Sequence, residues 1–290
     1  EITEAAIDEV VALGAERRSW LAFCAGVDHA THVAEALRAR GITAETIFGD
    51  TARADRDRII AAFKRGKIRA LASMGGHSDP LSVTTSYLRP VSGGEPATIR
   101  GEVIRSGRTT TVVRGVLTQE EKARLTLLAT LGDLDETVGI GPSLQPNAPS
   151  IPPPEACPSR VELDQGVALP ILDRLDIRID PACAAGAASD RAVMAGWIRL
   201  RDGSAPSALT LPLFADSFPP SLYTLVGRVG WVPTIELTVH VRSRPVDGWI
   251  QARFECDDLA EGRMIESGTL WDESGQVVAR SRQLGLLLPQ

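Results

Sequence analysis

The sequence predicts an α+β chain of two unlike parts: a short segment of alternating helices and strands, then an antiparallel unit that occurs twice. Three observations carry this. Helix and strand patterns alternate up to about residue 74. Period-2 runs joined by glycine turns take over from about residue 81. The runs of 81–131 then return in the same order between 235 and 288.

Taken in order, Ile2 to Leu13 is an amphipathic helix that ends near Gly14. Trp20 to Ala25 is a short apolar strand, and Ala30 to Arg40 is a helix with Val33, Ala34 and Leu37 on one face and Gly41 as its stop. Glu45–Phe48 gives a second strand, Arg53–Lys64 a helix with Ile59, Ile60 and Phe63 apolar, and Ile68–Ala72 a third strand. Strands separated by helices of this length indicate βαβ units on a parallel sheet. The meander that follows has strands at Ser82–Arg89, Ala97–Ser106, Thr109–Thr118 and Ala123–Leu131. A proline-rich linker, Gly139 to Ser159, should be extended and contribute little to a core. Strands at Leu172–Ile179 and Val193–Leu200 come next, then one short apolar helix from Ala208 to about Leu213 that runs into Ala215–Pro220. Thr234–Ser243, Trp249–Cys256, Met264–Trp271 and Val277–Leu288 close the chain as strands. In the duplication, Leu81–Val91 matches Ile235–Pro245, and Ala123–Leu131 matches Ala279–Leu287.

Composition narrows the function. The 290 residues are 43% hydrophobic and 23% charged, so a sizeable core can form. A net charge of -6 argues against coating nucleic acid or a membrane surface. There is no apolar run of about 18 residues, and the acidic start does not read as a signal peptide. Cys24, Cys157, Cys183 and Cys256 form no C-x-x-C pair, which fits reduced thiols and a cytoplasmic location.

Three motifs have a family likeness. Gly76–Pro90, Trp231–Arg242 and Gly268–Leu284 resemble, respectively, the strand after the central helix, its second-half equivalent and the closing hairpin of acyl-CoA thioesterase II-like proteins. The resemblance spans about 76–290. It implies a double hotdog, in which each of two curved antiparallel sheets wraps round a helix, and the hydrolysis of acyl-CoA without a cofactor, metal or covalent intermediate. It also implies homo-oligomers built through the sheets. The family's catalytic set falls on Asp216, Thr234 and Gln283. A thioester needs a water polarised by a carboxylate and donors for the developing oxyanion. Asp216 would be the base, Thr234 a second holder of the water and Gln283 an amide donor. Without the resemblance, Asp216 reads as a helix end and the other two as ordinary strand residues.

The first stretch is different. Ser19–Ala30, Val33–Ile42, Gly49–Asp50 and Asp57–Leu71 resemble the start of the second RecA-like domain of DEAD/DEAH-type helicases. The match stops near Ala72, before the arginine-finger motif. The chain has neither G-x-x-x-x-G-K-[ST] nor a D-E-A-D-type magnesium site. With 11 basic and 11 acidic side chains over residues 1–74, no positive excess favours nucleic acid, and ATPase or unwinding activity is not expected.

The expected domains are thus a helicase-like α/β fragment (1–74), a partial first hotdog (76–138), the linker (139–159) and a second hotdog (160–290). Two accounts of the first hotdog compete. Either it is incomplete, or Arg53–Gly75 supplies its helix. An incomplete repeat also leaves open a non-catalytic acyl-thioester-binding or structural role, and a helicase-derived nucleic-acid module is a third reading. No G-x-S-x-G elbow is present, which argues against a Ser-His-Asp hydrolase. His29 and His32 read as solvated, His77 as turn chemistry, and His240 as a surface or interface residue. Gly139–Gly141 lacks the third glycine of a dinucleotide loop. Trp197, Trp231, Trp249 and Trp271 read as core or interface anchors.

Overall fold

The computed structural model describes residues 2–24, 27–48, 51–73, 77, 79–107, 109–135, 141–162, 170–184, 189–227 and 231–288. The expected boundary at 74–76 and the first residues of the linker, with the Gly139–Gly141 stretch up to residue 140, lie outside them. The chain divides into two units, one of residues 1–78 with the turn 105–111, the other of 79–104 with 112–290.

In the first unit, helices α1 (Ile2–Leu13), α2 (Val27–Ala39) and α3 (Arg53–Lys64) alternate with strands β1 (Trp20–Phe23), β2 (Ala44–Ile47) and β3 (Ala70–Ser73). The strands form a parallel sheet in the order β1-β3-β2. Ala70 and Ala72 face a cluster of Ile7, Trp20, Ala30, Val33 and Leu37, so α1 and α2 cover one face. Leu71, between those alanines, points the other way and meets Ile47 and Ile59, so α3 covers the opposite face. Alternation along one short strand thus places helices on both sides. Among the described residues, α3 thus packs within this parallel unit. His77 is buried, with Nδ1 2.9 Å from Thr111 Oγ1, and the turn expected around it lies outside the described residues.

The second unit carries β4 (Asp79–Tyr87), β5 (Thr98–Ser106), β6 (Thr111–Gln119), β7 (Lys122–Gly132), β8 (Leu175–Ile179), α4 (Pro181–Ala184), β9 (Val193–Leu200), α5 (Leu211–Ala215), α6 (Tyr223–Val226), β10 (Thr234–Val241), β11 (Ile250–Ala260), β12 (Arg263–Trp271) and β13 (Val277–Leu286). All ten strands make one sheet in the order β5-β6-β7-β4-β10-β13-β12-β11-β9-β8. The first repeat contributes four of these strands and the second six, and the two meet along β4 and β10.

The register tests the duplication residue by residue. Thr84 lies opposite Thr238 across the seam, and their hydroxyls are 2.9 Å apart at a separation of 154 residues. The sequence match had also equated Thr84 with Thr238. A residue facing its own counterpart marks a pseudo-twofold axis, as in an isologous dimer. The outer pairs agree: Thr84 sits opposite Leu128 and Thr238 opposite Arg282, and the bulges at Pro80/Ser82 and Thr234/Glu236 occupy equivalent places. The same pairs equate Leu128 with Arg282, so Ala123 corresponds to Val277 and not to Ala279, a shift of two residues that keeps the facing.

The second repeat holds the main core: Leu211 and Phe214 of α5 pack with Ile177, Ile198, Leu237, Val239, Ile250, Phe254 and Leu270. α5 begins at Leu211 rather than Ala208, because Pro212 fits only the first helical turn. Among the described residues, the first repeat carries no helix between β4 and β7.

The linker has a larger part than expected. Trp197, Gln251 and Trp271 stand in register on three adjacent strands. Their side chains donate to the carbonyls of Pro152, Pro149 and Pro146 at 2.8, 2.6 and 2.9 Å. Acceptors at every third residue match the three-residue turn of polyproline II. Trp271 is buried, Trp197 is a strap donor, Trp249 lies under the Arg199 guanidinium at 4.2 Å, and Trp231 is 57% exposed. His240 is exposed, as expected. No helix among the described residues is long and apolar enough to cross a membrane.

Candidate active site

α5 is a single helical turn that buries Leu211, Phe214 and Ala215 and leaves Asp216 as its C-terminal cap. The Ser217 hydroxyl donates to Leu213 O at 2.5 Å, and Pro219 and Pro220 follow, so the helix cannot continue. Asp216 therefore stands where the helix stops, at the side of a cavity of about 520 Å3.

Thr234 arrives by a different route. Leu237, Val239 and Val241 of β10 point into the core, so strict alternation would put Thr234 outside with Glu236, Thr238 and His240. The bulge between Thr234 and Glu236 reverses this and turns Thr234 inward, opposite Gly285. Gln283 lies on the inward face of β13, two residues from Gly285, and pairs with Leu237 on one side and Glu266 on the other.

These elements bring all three sequence-predicted residues together. Gln283 Nε2 donates to Thr234 Oγ1 at 2.6 Å, and the Thr234 hydroxyl donates to Asp216 Oδ1 at 3.2 Å. The other carboxylate oxygen, Oδ2, accepts from the Tyr87 hydroxyl at 2.8 Å. Asp216 keeps access to solvent, but the protein mass packed around it pushes its carboxyl above the usual range, with the two hydroxyl donors pulling it back. Burial, together with the adjacent carboxylate, raises the Tyr87 phenol strongly, so it stays a neutral donor.

The cavity wall is mainly apolar, with Ile171, Phe218, Val232 and Phe254 contributing, but besides Asp216 three charged side chains line it, Arg89, Arg160 and Glu266. Glu266 is fully buried, which raises its carboxyl, although it accepts from Ser221 N at 2.7 Å. Arg160 is 6% exposed and donates through Nη1 to Ser217 O; burial lowers it to about 10.

Sequence reasoning named neither Tyr87 nor Glu266. Glu266 left a readable signal, an acid among the inward positions Met264, Gly268 and Leu270 of β12. Tyr87 left none, since its partner is 129 residues away in the other repeat.

Comparisons with known proteins show a family likeness across both repeats. A family described as the acyl-CoA thioesterase C-terminal domain matches residues 154–287, and the corresponding N-terminal domain family matches residues 67–132. A solved structure described as a candidate thioesterase II from Thermobifida fusca YX is 32% identical, with a TM-score of 0.63, covering 73% of this chain and 80% of that one. A hotdog-fold protein of unknown function from Alicyclobacillus acidocaldarius is similar in fold, with a TM-score of 0.61 at 20% identity, over 73% of this chain and 80% of its own. The uncharacterized protein Rv0499 of Mycobacterium tuberculosis H37Rv is 28% identical over 229 residues, which is 73% of this chain and 77% of that protein.

Proposed function

We propose, for a chain that belongs to the acyl-CoA thioesterase family, that it hydrolyses acyl-CoA by direct attack of water at a single site built on Asp216, Thr234 and Gln283. The observation that carries this reading is the hydrogen-bonded run Gln283 to Thr234 to Asp216, set at the side of a largely apolar cavity. Such a cavity suits an acyl chain, while the run suits the reacting carbonyl.

An ionised carboxylate accepts about four hydrogen bonds. Tyr87 and Thr234 take one on each oxygen of Asp216, which leaves lone pairs for a water. That water donates to Asp216 and attacks the thioester carbonyl, and its proton passes to the carboxylate. Burial helps, because it makes Asp216 a stronger base than an ordinary aspartate. The carbonyl oxygen becomes an oxyanion, for which the second amide hydrogen of Gln283 is a donor. Collapse breaks the carbon–sulfur bond, and the departing thiolate takes the proton held by Asp216. The products are a carboxylic acid and free coenzyme A. In this reading the site uses no cofactor, and copies associate through their sheets. We read the N-terminal α/β unit as a helicase-type fragment without the phosphate-binding sequence that ATP hydrolysis needs.

The test is incubation of the full chain with acyl-CoAs of graded length, following thiol release and the carboxylic acid together. Equal release of both for at least one chain length is expected. No release across the series would contradict the reading.

A further inference from the structure

We infer that Tyr87, supplied by the first repeat, is a positioning residue that orients the Asp216 carboxylate of the second repeat, so that the reaction at one repeat depends on the other. The inference rests on the thioesterase reading of Asp216.

The two oxygens of Asp216 are gripped from different repeats, Oδ1 by Thr234 of β10 and Oδ2 by Tyr87 of β4. Asp216 caps a five-residue helix, which is a short mount for the carboxylate. Tyr87 sits on a much firmer one. β4 is paired with β7 on one side and β10 on the other. Just beyond Tyr87, the backbone N–H groups of Leu88 and Arg89 both donate to Arg124 O, at 2.8 and 3.1 Å. Arg89 Nη1 donates to Ala123 O, and Arg124 Nη1 donates back to Pro90 O, each at 3.0 Å. The Tyr87 ring itself packs against the core of the second repeat. A donor on a doubly paired strand gives such a carboxylate a firm second hold.

The register shows what the first repeat has otherwise lost. The counterpart of Thr234 is Pro80, and that of Gln283 is Ala129. Neither can donate from its side chain, so the pseudo-twofold axis generates no second copy of the donor run. What the first repeat does contribute is the Tyr87 hydroxyl, delivered across the seam.

The full-length Tyr87→Phe variant tests this beside the parent and Asp216→Asn. The ring is kept, so the packing survives and the unfolding midpoint should change little. Turnover should fall about 10- to 100-fold, the scale of a charge-assisted hydrogen bond to the reacting group, with KM changing far less. Because the lost donor favoured the ionised carboxylate, the acidic limb of the kcat/KM profile should move to higher pH. A merely structural role would lower the amount of active protein without moving that limb. If the parent is active and Asp216→Asn is impaired, yet Tyr87→Phe keeps parental turnover and an unmoved limb, Tyr87 does not position Asp216 and the site reading stands. If the parent hydrolyses no acyl-CoA, the site reading fails. Tyr87 is then judged by infrared titration of the Asp216 carboxyl, identified by difference from Asp216→Asn. An upward shift in Tyr87→Phe supports the positioning role, and an unmoved titration overturns it.

Discussion

Asp216 and Glu266 are two carboxyls raised by burial within one cavity, and only Asp216 is held by hydroxyl donors on both oxygens. Each raised group binds its proton more tightly in the folded chain than in the unfolded one. The resulting stability is complete below the unfolded value, 4.5 for Glu266, and is lost as pH rises through the higher folded value. Glu266→Gln keeps an acceptor for Ser221 N and removes the charge. The variant should therefore unfold at higher denaturant than the parent at pH 8, and the gap should close as pH approaches 4. A gap that does not change with pH would show that the Glu266 charge is not destabilising. For Gln283→Ala, the loss should fall on kcat rather than KM, by about 10²-fold, since an oxyanion donor acts mainly in the transition state. A rise in KM alone would remove Gln283 from that role. At this scale the sequence carried Asp216, Thr234 and Gln283 through the family likeness, because chemistry ties them to motifs. Tyr87 was hidden because its partner comes from the other repeat.

Strands were easier to read than the places where they break their own rule. Alternation in Val193–Leu200 and Met264–Trp271 gave β9 and β12 almost to the residue. The bulge that turns Thr234 inward was not legible, since period-2 logic puts Thr234 on the outer face. Nor was the strap, because a proline-rich run looks like a spacer until Trp197, Gln251 and Trp271 are seen in register beneath its carbonyls. Close approach at β8 and β9 gives an element-scale prediction. A methyl at Gly196 would lie 2.1 Å from Arg178 O, which is backbone and cannot swing away. Gly196→Ala should cost about 2–3 kcal/mol in urea unfolding. A change below about 0.5 kcal/mol, the range of an ordinary surface substitution, would mean that the β8–β9 approach is looser than described.

At the scale of the whole molecule, the duplication was visible in the sequence but its consequence was not. Similar meanders could have formed two separate sheets, whereas Thr84 and Thr238 meeting at their own counterparts makes one. The halves are also clamped by charge. Arg244, just after β10, donates through Nη2 and Nε to Asp79 at 2.6 and 3.3 Å, and reaches Asp135 as well. Asp79 is buried, and among the described residues Leu134 N also donates to it, at 3.0 Å. Arg244→Ala should thus lower unfolding stability by about 2 kcal/mol, the scale of a hydrogen bond to a charged group that leaves its partner buried. An unchanged denaturation midpoint would show that the clamp is only decorative. Steady-state hydrolysis by the full chain beside its Asp216→Asn variant shows whether one seam-side site, centred on Asp216, turns over acyl-CoA. The parent should hydrolyse the acyl-CoA that it prefers. The variant, folded to the same degree, should do so about 10²-fold more slowly. Equal turnover by the two would contradict the account.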